Sequence, residues 1–180
     1  MTQALQVTVD ADGIATATMD SPGRSMNVLD DALAEPLAAL IERLVSDAGI
    51  KGLILASGKK DFLAGADVDR LRALASAQEA FDEAMRFKKL LRKMELGGKP
   101  VVAAINGKCL GGGLEIALAC HHRIILDDGQ ARLGLPEVKL GLLPGGGGTQ
   151  RMPRLVGMQQ ALQWMGEGSD IRAEIGRAHV

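Results

Sequence analysis

The sequence predicts an α/β layered fold, and three observations carry that prediction. Short apolar runs at 52–57, 100–105 and 123–126 read as buried strands. Helical patterns lie between them, at the spacing of strand–loop–helix–strand units. The 23 glycines gather in clusters, Gly111-Gly112-Gly113 and Gly145-Gly146-Gly147-Gly148, and glycine loses so much backbone freedom on folding that clusters belong to loops, tight turns or close approaches to a ligand.

The elements follow in order. Leu5, Val7 and Val9 alternate, Asp10-Ala11-Asp12-Gly13 supplies a turn, and Ile14 to Met19 resumes a strand, which predicts a β-hairpin. Ser21-Pro22-Gly23 breaks it. Asp30 or Asp31 caps a helix that carries Leu33, Leu37, Leu40, Ile41 and Leu44. Pro36 inside that pattern predicts a distorted first turn or a start nearer Ala34. After the strand Gly52–Ser57 and a loop ending in Phe62-Leu63-Ala64-Gly65-Ala66-Asp67 comes helical sequence. From Glu79 to Leu96 it places Phe81, Met85, Lys88/Lys89, Leu91 and Met94 on an amphipathic pattern, ended by Gly97-Gly98. Pro100–Ile105 is a strand, Gly107–Gly113 a glycine-rich loop, Leu114–Cys120 a short buried helix and Arg123–Leu126 a third strand. A further segment opens at Pro136-Glu137, and a helix begins near Thr149.

Length and composition bound the function. A chain of 180 residues makes one domain with its own core. Net charge is −1, from 21 basic and 22 acidic residues, so no general basic field draws in nucleic acid or an acidic membrane. Three Phe, one Trp and no Tyr leave no base-stacking platform. Apolar runs fall far short of the ~20 residues that span a bilayer. Met1-Thr2-Gln3-Ala4-Leu5 lacks the basic-then-apolar order of a secretory signal, and Cys109 and Cys120 form no disulfide scaffold, so a reduced cytoplasmic setting is expected.

Four segments carry candidate chemistry. In Leu110-Gly111-Gly112-Gly113-Leu114-Glu115, glycines leading into a helix expose unsatisfied N–H groups at the positive end of its dipole; the sequence reads as an oxyanion site or as close helix–strand packing. It has neither the Gly-Lys-Ser/Thr ending nor the spacing of a phosphate loop. Glu137, stiffened by Pro136 and upstream of Pro144 to Gly148, reads as a general acid or base or as a surface carboxylate beside a turn. Ala64-Gly65-Ala66-Asp67 reads as a ligand approach or an ordinary loop. Cys120-His121-His122 has no partner cluster at zinc spacing and is read as structural, so no metal is expected. No serine-nucleophile elbow is present.

Taken together, Phe62 to Asp67, Gly107 to Glu115, Pro136-Glu137 and Leu140-Gly141-Leu142-Leu143-Pro144-Gly145 through Arg151 resemble the crotonase (enoyl-CoA hydratase/isomerase) superfamily, to about Gly166. Pro22-Gly23-Arg24-Ser25-Met26-Asn27 and Leu133-Gly134-Leu135-Pro136-Glu137 resemble most the N-terminal hydratase region of bacterial multifunctional fatty-acid oxidation proteins, in which a 3-hydroxyacyl-CoA dehydrogenase region follows. The resemblance implies the crotonase (ClpP-like) α/β fold of stacked β-sheets with surrounding helices, with the C-terminal helices missing. It implies reversible hydration of trans-2-enoyl-CoA in fatty-acid β-oxidation, with Δ3/Δ2-enoyl-CoA isomerase activity beside it, and no cofactor beyond the coenzyme A of the substrate. Ala66 and Gly112 match the two backbone donors of an oxyanion hole, Glu115 and Glu137 the catalytic glutamates, and Gly145 the water-orienting position. Ala64, Val68 and Met26 match the coenzyme A path. A homotrimer or hexamer is implied, or a thiolase subunit as partner within a multifunctional protein.

Residues 1–174 are expected to form this domain, incomplete at its C-terminal end. Ile175-Gly176-Arg177-Ala178-His179-Val180 resembles the translation of a sequencing adapter and is expected to be foreign to it. Without covering helices, low activity and exposed apolar surface are expected. The alternatives are another crotonase reaction on acyl-CoA (isomerase, hydrolase or decarboxylase) or a non-catalytic crotonase-like RNA-binding protein, for which Lys88, Lys89, Arg92 and Lys93 form a modest basic stretch otherwise read as a solvated helix face.

Overall fold

The structure is a computed structural model that describes residues 3–173; the segment 175–180 lies outside the described residues. Strand β1 (Leu5–Val9) runs antiparallel to β2 (Ile14–Met19), Leu5 opposite Met19. The turn is held by Asp10, whose Oδ1 accepts from the Asp12 and Ile14 N–H groups at 3.0 and 2.8 Å. From there the sheet is parallel: β2 pairs β3 (Gly52–Ser57), β3 pairs β4 (Val101–Ile105) and β4 pairs β6 (His122–Ile125), in the order β1-β2-β3-β4-β6. Parallel neighbours require crossovers. Helix α1 (Asp31–Ser46) makes the first, α2 (Val68–Arg72) and α3 (Ala77–Leu96) the second, and α4 (Gly112–Ala119) the third. Helices α5 (Gly148–Val156) and α6 (Met158–Glu167) follow.

A second, two-stranded parallel sheet corrects the sequence reading. Residues 107–113 are not all loop: β5 (Lys108–Leu110) pairs β7 (Arg132–Gly134), and Leu63 bridges to Cys109 on β5. Three-residue strands carry too little alternation to be read locally, and their pairing partners lie more than twenty residues away. Both sheets feed one core, in which Leu53, Leu55, Val101, Ala103 and Ile105 meet the α1 leucines, Phe62, Leu63, Cys109 and Leu133.

Helix α1 starts at Asp31 in spite of Pro36, with the Asp30 carboxylate accepting from the Leu33 N–H at 3.2 Å. Burial of Leu33, Leu37, Leu40, Ile41 and Leu44 outweighs the single hydrogen bond the proline removes. In α3 the amphipathic pattern overstates burial. Leu91 and Met94 are buried, whereas Phe81 is 59% exposed, because only the C-terminal half of the helix is covered. Of its basic stretch, Arg92 pairs with Glu95 and Lys93 with Glu42, as on a solvated helix face. His121 Nδ1 accepts from the Val101 N–H at 3.1 Å, and Cys120 Sγ contacts the Ile116 carbonyl, so both serve the joint between α4 and the sheet.

One polar residue ties the sheet to the segment that follows it. Asn27 is fully buried; its Nδ2 donates to the Met19 carbonyl, Ser57 Oγ and the Phe62 carbonyl at 3.2, 2.9 and 3.0 Å, and its Oδ1 accepts from the Ser21 N–H at 2.9 Å. Its own carbonyl accepts from the Ala64 N–H at 2.9 Å. The ends of β2 and β3 and the 62–66 segment are thereby held at one point. Asn27→Ala is expected to lower stability by about 3 kcal/mol in equilibrium urea unfolding, since several buried groups lose partners that each cost ~1–3 kcal/mol to leave unpaired. Asn27→Asp should cost more, because a carboxylate oxygen would face three acceptors; an Asp variant as stable as the parent would refute the account.

Candidate active site

The site forms where the 62–67 segment crosses the start of α4. The Leu63 carbonyl accepts from the Leu110 N–H at 3.0 Å, and the Gly65 carbonyl accepts from the Leu29 N–H at 2.8 Å. Gly65 has φ +102° and Gly111 φ +53°, both in the region glycine favours. A Cβ on Gly65 would stand 3.1 Å from the Leu110 carbonyl oxygen and 3.3 Å from the Gly112 nitrogen, so the two backbones touch with nothing between them. Across the same crossing, a Cβ on Gly112 would lie 3.7 Å from the Ala66 nitrogen. Ala66 and Gly112 are thus brought side by side, and among the described residues neither N–H donates a hydrogen bond. Ala66 is fixed from both sides. It bridges to Leu29, and the following Asp67 caps α2, its Oδ1 accepting from the Asp69 N–H at 3.0 Å while its Oδ2 holds Arg24 at 2.9 Å.

Glu115 sits in the first turn of α4, a helix buried on nearly every side, and is 3% exposed. Its Oε1 accepts from the Gly148 N–H at 2.8 Å. Helix α5 has no acidic residue in its first turn and no side-chain cap of its own, so Glu115 supplies from α4 the acceptor that its free amides need. Burial pushes the Glu115 carboxyl above the usual range; the Gly146 to Gly148 amides and the Arg151 charge pull the other way without cancelling it.

Glu137 arrives from the other sheet. Strand β7 leads through Leu135 into a 3-10 turn, Pro136–Leu140, and the Gly111 N–H donates to the Gly134 carbonyl at 2.9 Å, tying that strand to the start of α4. A Cβ on Gly111 would lie 3.2 Å from Glu137 Oε1. Glu137 Oε2 is buried with no hydrogen-bond partner among the described residues. Burial, reinforced by the Glu115 charge and opposed by the residue's own amide, raises the Glu137 pKa to about 7. Two carboxyls of raised pKa thus stand beside two undonated amides, groups of the kind that move protons and that stabilise an oxyanion.

The other expected positions flank this centre. Gly145 is exposed at the head of the glycine run, Ala64 is half-buried with its N–H on the Asn27 carbonyl, Met26 precedes Asn27, and Val68 opens α2. Cys109 and Cys120 are buried free thiols pushed up by desolvation, Cys120 to about 12, which makes neither a nucleophile at neutral pH. Three contributors stand in the sequence only as members of quoted motifs, with no role read for them. They are Asn27, the Gly148 amide, and Arg151, whose Nε donates to Glu95 Oε1 at 2.6 Å. Gly148 left a trace in its glycine cluster and Arg151 one as a cation at the start of a helix, where the dipole disfavours it, but neither signal names its partner.

Residues 10–176 match the enoyl-CoA hydratase/isomerase family. The chain belongs to that family. It is 49% identical over 173 residues to the fatty acid oxidation complex subunit alpha of Idiomarina loihiensis, covering 96% of this chain and 24% of that one. To the protein of the same name from Shewanella loihica it is 50% identical over 163 residues, covering 90% and 23%. The chain therefore spans about a quarter of the curated relatives it matches. The crystal structure of the enoyl-CoA hydratase from Bacillus anthracis superposes with a TM-score of 0.88 at 31% identity, covering 98% of this chain and 67% of that one. The crotonase fold expected from the sequence is the fold of the family and of this chain.

The raised carboxyls set a pH dependence of stability. A group whose folded pKa lies above its unfolded value favours the fold when protonated, so the Glu137 contribution is complete below about pH 4.5 and is lost as pH rises through about 7. Glu115, raised in the same direction, adds to the slope. In urea unfolding at pH 5 and pH 8, the parent should lose more stability between the two than Glu137→Gln does; equal losses would count against the burial of this carboxyl.

Proposed function

We propose that this chain carries out reversible syn hydration of trans-2-enoyl-CoA thioesters in fatty-acid β-oxidation. One observation carries the reading: two undonated amides, Ala66 and Gly112, lie at one crossing beside two carboxyls of raised pKa. A thioester places negative charge on its carbonyl oxygen when its double bond is attacked at C3. Fixed N–H donors aimed at that oxygen lower the barrier, and one such donor is typically worth ~10²–10³ in rate. Glu115, buried but held by amides that favour its anion, suits the base: it takes a proton from water as the oxygen bonds to C3. Glu137, half protonated near neutral pH, suits the acid: it delivers a proton to C2 as the enolate collapses. One O–H bond of water and the C2=C3 π bond break, one C–O and one C–H bond form, and the proton left on Glu115 passes to Glu137 before the next turnover, so the addition balances with no cofactor beyond the coenzyme A of the substrate. Gly145, at the head of the run that meets Glu115, is assigned to orient the water, and Met26, Ala64 and Val68 to the coenzyme A path.

The relatives are named as the subunit alpha of a fatty acid oxidation complex, which supports a place in a larger assembly: a trimer or hexamer of this domain, or a multifunctional chain with a thiolase subunit as partner. The free cysteines suit a reducing cytoplasm. No helix among the described residues is long and apolar enough to cross a membrane. An isomerase reading has one observation in its favour, since moving a double bond needs a single carboxyl that takes and returns a proton, and Glu137 has the matching pKa.

Glu115→Gln and Glu137→Gln should each lower hydration of crotonyl-CoA ~10²–10⁴-fold, the usual contribution of a positioned acid or base. The parent rate should fall as pH rises through about 7, where Glu137 loses its proton. Isomerisation of a 3-enoyl-CoA that survives Glu115→Gln while hydration is lost would assign the shuttle to Glu137. Full hydration by either Gln variant would overturn the proposal.

A further inference from the structure

Arg151 breaks a rule of helix electrostatics. It is the fourth residue of α5, in a first turn that favours anions, and α5 has no acidic residue there to offset it. Its side chain is nonetheless largely buried, 15% exposed, and it is held on two sides. Nε donates to Glu95 Oε1 of α3 at 2.6 Å, and Nη1 donates to the Gly146 carbonyl at 2.9 Å. Glu95, 22% exposed, is shared with Arg92 at 3.2 Å; burial pushes its carboxyl up, but the two guanidinium groups outweigh that and keep it ionised. The guanidinium takes the space a side chain would need at Gly147, where φ is +107° and a Cβ would stand 2.5 Å from Nη1. Helix α3 also braces the run, through the Phe87 ring packed against Gly146.

We propose that Arg151 is a positioning residue for Glu115: anchored on Glu95, it clamps the Gly146 carbonyl and so holds the glycine run with its amides on the Glu115 carboxylate. The proposal rests on the reading of Glu115 as the base that activates water. The geometry is a relay of fixed contacts from Glu95 to Arg151, to the Gly146 carbonyl, and through the Gly148 N–H at 2.8 Å to Glu115 Oε1. The same placement brings a positive charge near the buried carboxyl and favours its ionised form. The charged and titratable groups around Glu115 are then Glu137 on the 3-10 turn, Arg151 on α5, and the Glu95–Arg92 pair behind Arg151 on α3.

The test is the titration of Glu115 itself, followed by carboxyl carbon NMR on the whole chain labelled at glutamate, with Glu115→Gln to assign the signal. Arg151→Gln should raise the Glu115 midpoint by about one pH unit, a ten-fold gain in proton affinity, as expected when a nearby opposite charge is removed. Arg151→Lys keeps a charge but lacks the fork that spans Glu95 and Gly146, so its midpoint should fall between the two. Where the Gln variant does not fold, the Lys variant alone decides, with a smaller upward shift expected. In a chain that hydrates crotonyl-CoA, Arg151→Gln should also lower kcat with KM little changed and move the acid limb of the profile to higher pH by the same amount. Midpoints unchanged in the folded variants would overturn the proposal. A parent chain without hydratase turnover would instead count against the functional reading, and the Glu115 midpoints would still decide the clamp by themselves.

Discussion

Everything in the site leans on one contact: a carboxylate on a buried helix serving as the missing cap of another. Glu115 lies in α4, which is apolar and covered on nearly every side, so its charge cannot be left to water. Helix α5 begins after glycine, with free amides and no anion of its own. Each need answers the other at Gly148. The compensation is incomplete, because burial still raises the Glu115 pKa, and this leaves a carboxyl that holds a proton more readily than a surface glutamate.

The second constraint is the crossing of Gly65 over Gly111. A side chain at Gly65 would press on the Leu110 carbonyl and the Gly112 nitrogen and push the two segments apart, and one at Gly111 would crowd Glu137 Oε1 at 3.2 Å. The sequence accepts the entropy cost of several glycines to keep two backbones in contact. Around the crossing, rigid partners replace that lost restraint. Asn27 joins two strand ends to the 62–66 segment, Arg24 holds Asp67, and the Gly134 carbonyl holds the Gly111 amide. Glu137 is therefore placed by a strand pairing, not by the loop on which it sits.

Much of the main sheet is legible in order from the sequence, because its strands and helices are long enough to show their periods. The strand Gly52–Ser57 is legible to the residue, and α1 differs only in starting ahead of Pro36, where buried leucines prevail over a local steric rule. The small sheet is not legible, since β5 and β7 are three residues each and exist only as a pair. Phe81 shows the reverse error: its spacing implies a covered face, but periodicity describes one helix and says nothing of what lies against it.

The site divides in the same way. Glycine clusters and two glutamates are chemical choices written in residue identity, so the sequence alone determined which family they resemble and which residues were candidates for the site. It also determined the fold class, since strand and helix periods are local. Tertiary structure alone decided that Gly148 would cap onto Glu115, that Glu137 would lose its water and sense Glu115, and that Glu95 would reach Arg151 across 56 residues. Those are consequences of burial and of distance through space, and both arise only once segments remote in the chain have packed together.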